Sequence, residues 1–544
     1  MNWILTHGNI YTGNPIQPHA TALAIANGRI LAVGSDDEIG AIRLPDAQYI
    51  NLNGGFVLPG LTDAHLHLEM TGLALQRVSL QDQPTLDAAA DKVRARAQQT
   101  PVGQWVRGWG WNQMDWGGAL PTAAHLDAAT TQHPVFLSSR SGHSGWANSM
   151  ALRIAGITRE TANPYGGEIV RDAAGEPTGL LLEAAMELMS RCIPEPTLED
   201  EEAATLLAMR EMNKKGLTGV HCMDGNGGIQ TFGTYQRLRE RRQSTLRVVK
   251  MLPVQALDQV LGAGLRSGFG DAWLRIGNIK VFADGALGPK SAAMVAPYEG
   301  EPDNFGMITF EKEDLIEVAI KCFSHGLSVT THAIGDRANR DVLDAYQIAK
   351  ETTDDGRPTT LGSVVGRPSS VVSSTLRNRI EHVQVLQAED VARLAALDVI
   401  ASVQPIHATS DMKMVDAYWG ERGRYAYAFA DLLRSGARLA LGSDAPVETF
   451  DPLVGIHAAV TRQHADGTPR EGWYPDQRLT VEQAIHGYTL GAAYAGYSEH
   501  ELGSLEAGKL ADLTVLSHDL TQIPASEILN VQVVRVMVDG EWRV

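Results

Sequence analysis

Residues 57–68 read VLPGLTDAHLHL, and the alternation inside this stretch decides how the whole chain is read. After the bend signal Pro59-Gly60, the polar residues Asp63, His65 and His67 alternate with Ala64, Leu66 and Leu68. Extended backbone sends successive side chains to opposite faces, so the three polar groups are expected on one face. Two imidazoles set side by side at a strand end can chelate one divalent cation without distorting the backbone. The same pattern suits two ordinary half-buried histidines, and the flanking sequence has to separate these readings.

Upstream, residues 1–56 read as short strands. Trp3 to Leu5, Ala22 to Ile25, Arg29 to Val33 and Tyr49 to Leu52 are apolar runs of strand length, and Asn27-Gly28, Gly34-Ser35 and Asn53-Gly54-Gly55 are turn signals between them. Asn27-Gly28 is the two-residue loop of a β-hairpin. The far end repeats this texture at 512–516, 531–538 and 542–544, with a turn at Asp539-Gly540. Neither end has the apolar surface to fold alone. A small β-sandwich built from both termini, 1–58 and 501–544, is therefore expected.

Downstream, strand-like apolar runs alternate with helical stretches, the mark of an α/β fold with parallel strands. Buried strands are expected at 217–223, 246–252, 276–282, 327–332, 379–383, 399–404 and 437–444, and the opening stretch makes eight. Eight parallel strands with intervening helices close into a (β/α)8 TIM-like barrel, here within 59–500. About 150 residues separate the first two strands, far more than a crossover requires. An inserted subdomain is therefore expected at about 75–210, and it carries Trp105, Trp109, Trp111, Trp116 and Trp146. The Gly-, Pro- and Ser-rich segment 354–374 reads as a flexible excursion and is assigned no chemistry.

Composition narrows the class. With 44% hydrophobic and 20% charged residues among 544, the chain has the make-up of an ordinary soluble globular protein. Its formal charge of −18 argues against nucleic-acid and anionic-membrane partners, which need clustered Lys and Arg. Three scattered cysteines suit neither a disulfide framework nor a thiolate zinc site. The N-terminus lacks the pattern of a signal peptide and no apolar run is long enough to span a bilayer, so a cytoplasmic setting is expected.

Barrels of this kind place their functional groups where strands end at the C-terminal face. In this reading the first strand ends at His65-x-His67, the fourth carries Lys280, the fifth ends at His332, the sixth carries His382 and the eighth ends at Asp444. Charged or imidazole groups among apolar neighbours are costly unless paired or metal-bound. Six of them at the strand ends of one barrel are hard to ascribe to chance.

The motifs PGLTDAHLHL, KVFADGALG, THAIGDRA, RIEHVQ, ALGSDAPV and GSLEAGKLADLTVL resemble those of the amidohydrolase superfamily, and more closely its amidohydrolase-3 or YtcJ-like branch, which includes N-substituted formamide deformylases. The resemblance covers nearly the whole chain, and GHSGWANSMAL at 142–152 is similar to a branch-specific motif. It implies that His65 and His67 bind the more buried of two metals, His332 and His382 the more exposed one, with Asp444 completing the buried site. Lys280 resembles the lysine that becomes a carbamate bridging two ions; an unmodified Lys280 beside Asp284 would leave room for one metal. One or two divalent ions, zinc foremost, are thus expected.

The implied reaction is hydrolysis of a carbon–nitrogen bond, in a non-peptide amide or N-formyl group of a small molecule. Metal-activated hydroxide would attack, with Asp444 as general base and then general acid. A cyclic amidase or deaminase of the same superfamily is the alternative, and a non-catalytic binding or regulatory protein a remote one. His143 is expected either to polarise the substrate carbonyl or to order the insertion. Trp109, Trp111 and Trp146 wall a pocket or form the insertion's own core, and His407 is a further substrate-facing candidate. Where the branch usually has a small residue and an Arg, this chain has Pro289-Lys290. Lysine lacks the arginine fork that grips planar anions, so substrate identity does not transfer from relatives. The resemblance leaves oligomeric state open, a homodimer being common among members.

Overall fold

The computed structural model describes residues 1–81, 83–140, 143–225, 230–354 and 376–544, so all but the first residue of the segment read as a flexible excursion lies outside the described residues. The chain divides into two compact units, one of residues 1–71 with 205–544 and one of Gly72–Ala204.

The first unit contains an eight-stranded sheet, all parallel, whose order follows the sequence without a swap. Its strands are β1 (Leu61–Leu66), β2 (Leu217–Cys222), β3 (Arg247–Pro253), β4 (Leu274–Phe282), β5 (Val329–Ala333), β6 (Arg379–His382), β7 (Ile400–Val403) and β8 (Leu439–Leu441). All eight expected strands are present. Their near-continuous burial follows from helices packed outside and side chains filling the centre. No ladder joins β8 to β1; the gap is bridged just beyond β8, where the Ser443 N–H donates to Asp63 Oδ1 (3.1 Å) and the Asp444 N–H to the His65 carbonyl (2.7 Å).

The opening stretch, counted as one barrel strand with a bend at Pro59-Gly60, divides at that bend. Phe56–Pro59 pairs antiparallel with Leu513–Leu516 in a six-stranded sheet, and β1 starts only at Leu61. Gly60 is the crossing point: a Cβ there would lie 2.3 Å from Thr218 Oγ1 on β2. Strands from both ends of the chain share that six-stranded sheet, and a second sheet of four strands comes from residues 2–51. Trp3, Leu5, Ile25, Val57, Leu513 and Met537 form one core between them. A buried ion pair, Arg247 to Asp512 (2.6 and 2.8 Å), fastens this module to β3. Gly34-Ser35, read only as a turn, also starts the short helix Asp36–Gly40, where Ser35 and Glu38 form a capping box.

The second unit is built on a six-stranded sheet in the order Gly167–Arg171, Pro177–Glu183, Ser144–Ala147, Val135–Ser139, Val106–Trp111, Val78–Ser79. Alternation gives it two apolar faces, Leu137, Trp146 and Leu180 on one and Phe136, Ala147 and Leu181 on the other. Between Trp109 and Trp111 the register shifts at Gly110, which sits at φ +92°. This bulge turns Trp111 onto the first core face and leaves Trp109 on the opposite one.

Candidate metal centre

The sequence-predicted ligands come together at the C-terminal ends of the barrel strands. Asp444 is the hub. Its Oδ1 lies 3.4 Å from His65 Nε2 and 3.4 Å from His67 Nε2, and its Oδ2 lies 3.3 Å from His407 Nε2. Two groups of donors could each hold a cation, His65–His67–Asp444 and His382–His407–Asp444, and they share the Asp444 carboxylate. The His382 ring stands 4.9 Å from that of His65 and 4.6 Å from that of His332, centroid to centroid.

Of the residues proposed as ligands, His65, His67, His382 and Asp444 fall within these groups. His407, expected to face substrate, joins them from the helix Pro405–Ser410 that follows β7. His332 and Lys280 stand beside the two groups rather than within them. The Lys280 ammonium lies over the Phe282 ring at 4.7 Å. Burial lowers its pKa to about 8, against the opposing pull of the Glu381 and Asp444 carboxylates.

Three of the imidazoles are aimed by a bond at the far side. His65 Nδ1 meets Glu381 Oε2 at 2.5 Å, His382 Nδ1 meets Gln404 Oε1 at 2.8 Å, and His332 Nε2 meets the Gly285 carbonyl at 2.9 Å. His67 Nδ1 lies 3.4 Å from Asp224 Oδ1. A ring nitrogen that donates to an acceptor leaves the other nitrogen with a lone pair, which is how metal-binding histidines are oriented.

The Glu381 anchor is itself held. Arg379, fully buried, donates to Glu381 Oε1 (2.8 Å) and Oε2 (3.1 Å), to the Ala64 carbonyl and Ser402 Oγ (2.7 Å each), and to His221 Nδ1 (2.8 Å). One guanidinium thus ties β1, β2, β6 and β7 together.

The electrostatics suit a cation. Burial lowers the pKa of His332 to about 4 and holds His382 well below its ordinary value, so both rings are neutral near pH 7. Burial alone would raise the Asp444 pKa, but bonds from His407, His65 and His67 hold the carboxyl well below the usual range. His67 and His407 go the other way: against burial, Asp224 and Asp444 raise the His67 pKa to about 9, and Asp444 raises that of His407. Imidazole nitrogens around one ionised carboxylate are the donor set of a divalent ion of the zinc type, which would displace the protons held on those two rings. The residues therefore fit a metal. Backbone strain gathers here too: His382, Val383 and Asp444 sit at φ +72°, +45° and +63°, a region that non-glycine residues avoid.

Glu381, Gln404 and Asp224 were missed in the sequence. Glu381 adjoins His382 in RIEHVQ, and Asp224 follows the buried run LTGVHCM. A carboxylate next to a proposed ligand or just past a strand end was the available signal. Lys290, the departure from the branch pattern, pairs with Glu301 (2.5 Å) and lies over the Tyr418 ring at 4.3 Å.

In the second unit, His143 Nδ1 meets Glu183 Oε2 at 3.0 Å on an exposed surface. Trp111 is 1% exposed, with its indole N–H donating to the Leu137 carbonyl, and Trp146 is fully buried beside it. Both belong to that unit's core, whereas Trp109 remains 39% exposed.

A family model for amidohydrolases matches residues 48–544. Protein LONG AFTER FAR-RED 3 of Arabidopsis thaliana is 35% identical over 94% of this chain and 87% of its own. The putative amidohydrolase YtcJ of Bacillus subtilis is 31% identical over 98% of both chains. N-substituted formamide deformylase of Arthrobacter pascens is 30% identical over 99% of this chain and 98% of its own. Among solved structures, an uncharacterised metal-dependent hydrolase from Pyrococcus horikoshii matches with a TM-score of 0.75 at 27% identity, over 96% of this chain and 99% of that one.

Proposed function

The chain belongs to the amidohydrolase family, and from that membership we propose that it hydrolyses a carbon–nitrogen bond in a small acyclic amide or N-formyl compound, with one or two divalent ions, zinc foremost, held at the barrel mouth. The observation that carries this reading is the pair of donor groups sharing the Asp444 carboxylate. The likeness to a formamide deformylase along nearly the whole chain supports the choice of bond.

A divalent ion bound there would polarise the substrate carbonyl and bring the pKa of water down towards about 7. Asp444, ionised near neutral pH, takes the proton from the attacking water and delivers it to the departing nitrogen. Glu381 and Gln404 accept from Nδ1 of His65 and His382, which is the tautomer that would present Nε2 to a cation. Lys280, with a pKa of about 8, keeps a neutral-amine fraction near pH 7. That fraction can add carbon dioxide, releasing one proton and forming a carbamate, which is part of the proposal.

The test combines metal analysis with a substrate screen of acyclic N-substituted formamides, cyclic imides and aminopurines. One to two metal equivalents and turnover of the acyclic compounds are expected. Both should be lost in His65→Ala, and turnover lost in Asp444→Asn, in variants that melt as folded proteins. A folded, metal-free enzyme with full activity, or turnover confined to cyclic imides or aminopurines, overturns the proposal.

A further inference from the structure

The second unit holds a cavity of about 270 Å³ that the metal chemistry does not use. It lies over the sheet face that carries Arg107, Trp109, Phe136 and Ser138. Arg107 and Trp109 alternate outward on Val106–Trp111, and the register sets Arg107 against Phe136 and Trp109 against Ser138 on the neighbouring strand. Arg77, exposed, also lines the cavity, and Met186 and Ile193 add apolar contacts.

The charges in this cavity are unusual for the chain. The sequence carries 64 acidic against 46 basic residues, so carboxylates are in excess, yet among the described residues neither Arg77 nor Arg107 has a salt bridge or side-chain hydrogen bond. The pKa of Arg107 is lowered first by burial and then by the charge of Arg77, and Glu195 opposes both from across the cavity. Two like charges brought together in a partly desolvated place repel, and such an arrangement destabilises the fold unless something neutralises it. Two guanidiniums against one carboxylate leave one positive charge.

We propose that this cavity is a second binding site, separate in its chemistry from the metal centre, for a small organic monocarboxylate with an apolar, preferably aromatic, body. The planar forks of Arg77 and Arg107 match a carboxylate through paired N–H···O bonds. The lining is mostly polar, and Trp109, Phe136 and Met186 supply the apolar contacts for the rest of the ligand. One net positive charge selects a monoanion over a dianion. The volume admits a ligand of about one aromatic ring and no more.

Isothermal titration of the metal-loaded enzyme with sodium benzoate tests this. Saturable binding is expected, weakened at least tenfold in Arg107→Gln and in Arg77→Gln, and absent for benzyl alcohol, which has the ring without the charge. The His65→Ala variant, which is expected to lose the metal, should bind benzoate as the parent does, which separates this site from carboxylate binding at the metal. Arg77 is at the surface, so its substitution tests the idea even if the Arg107 variant folds poorly. Absence of saturation, binding that survives both substitutions, or tighter binding of inorganic phosphate than of benzoate overturns the proposal.

Discussion

Replacing Glu381 by Gln should weaken metal binding, although the residue is not itself expected to touch the ion. Four donors converge on its carboxylate: Thr330 Oγ1 and Arg379 Nε at Oε1, and His65 Nδ1 and Arg379 Nη2 at Oε2. An amide offers one oxygen. If that oxygen stays on His65, the NH₂ group is turned towards the Arg379 Nε–H, donor against donor, and the guanidinium loses the negative charge that balances it in a fully buried place. Removing one partner of a buried pair costs about 3–5 kcal/mol of stability. Loss of an outer bond to a metal-binding histidine lowers metal affinity by about 10–100-fold, or about 1.4–2.8 kcal/mol. Chelator competition on the folded variant reads the second effect, and thermal unfolding of the metal-free protein reads the first. Glu381→Asp, which keeps the charge, should restore part of the metal affinity. Parental affinity in Glu381→Gln, within twofold, would refute the idea that Arg379 and Glu381 aim His65.

A pH dependence follows from His67, whose pKa the carboxylates of Asp224 and Asp444 raise to about 9 against the effect of burial. Below that pH a metal must displace its proton, so apparent affinity should rise with pH up to about 9 and level off above, with proton release visible by calorimetry in buffers of different ionisation enthalpy. In the metal-free protein the same raised pKa contributes stability that is fully present below about pH 6.5 and lost as pH climbs through about 9. Trp146→Ala removes a fully buried ring whose N–H bonds the Thr122 carbonyl, and should cost about 3–5 kcal/mol, read as lost hydrogen-exchange protection across 72–204. Gly60→Ala should cost about 1–3 kcal/mol by overpacking against Thr218, and Thr218→Ala in the same chain should recover part of the loss in a thermal melt.

Much of the fold was legible because it rests on local periodicity. The terminal strands announce themselves by apolar runs between turn residues, and Asn27 and Gly28, at φ +52° and +76°, adopt the left-handed backbone that their hairpin requires. The bend at Pro59-Gly60 was legible as a turn signal, but not why the position needs glycine: Thr218, 158 positions away, forbids a side chain there. The tryptophans show the same limit. In the sequence Trp109 and Trp111 group together as pocket wall or as core, but the bulge at Gly110 sends them to opposite faces.

Sequence alone determined the eight parallel strands, the module shared by the two termini, and which histidines and aspartate end up at strand ends, because residue type and alternation are properties of the chain itself. Tertiary structure decided the rest. Which nitrogen of His65 faces inward depends on Glu381, a residue 316 positions away, and the entry of His407 into the donor set depends on where the helix after β7 meets Asp444. The meeting of Arg77 with Arg107 likewise depends on two elements of one unit facing a common cavity. Directional bonds and charge pairs form across strands and loops, where register and closure, and not local pattern, set the distances.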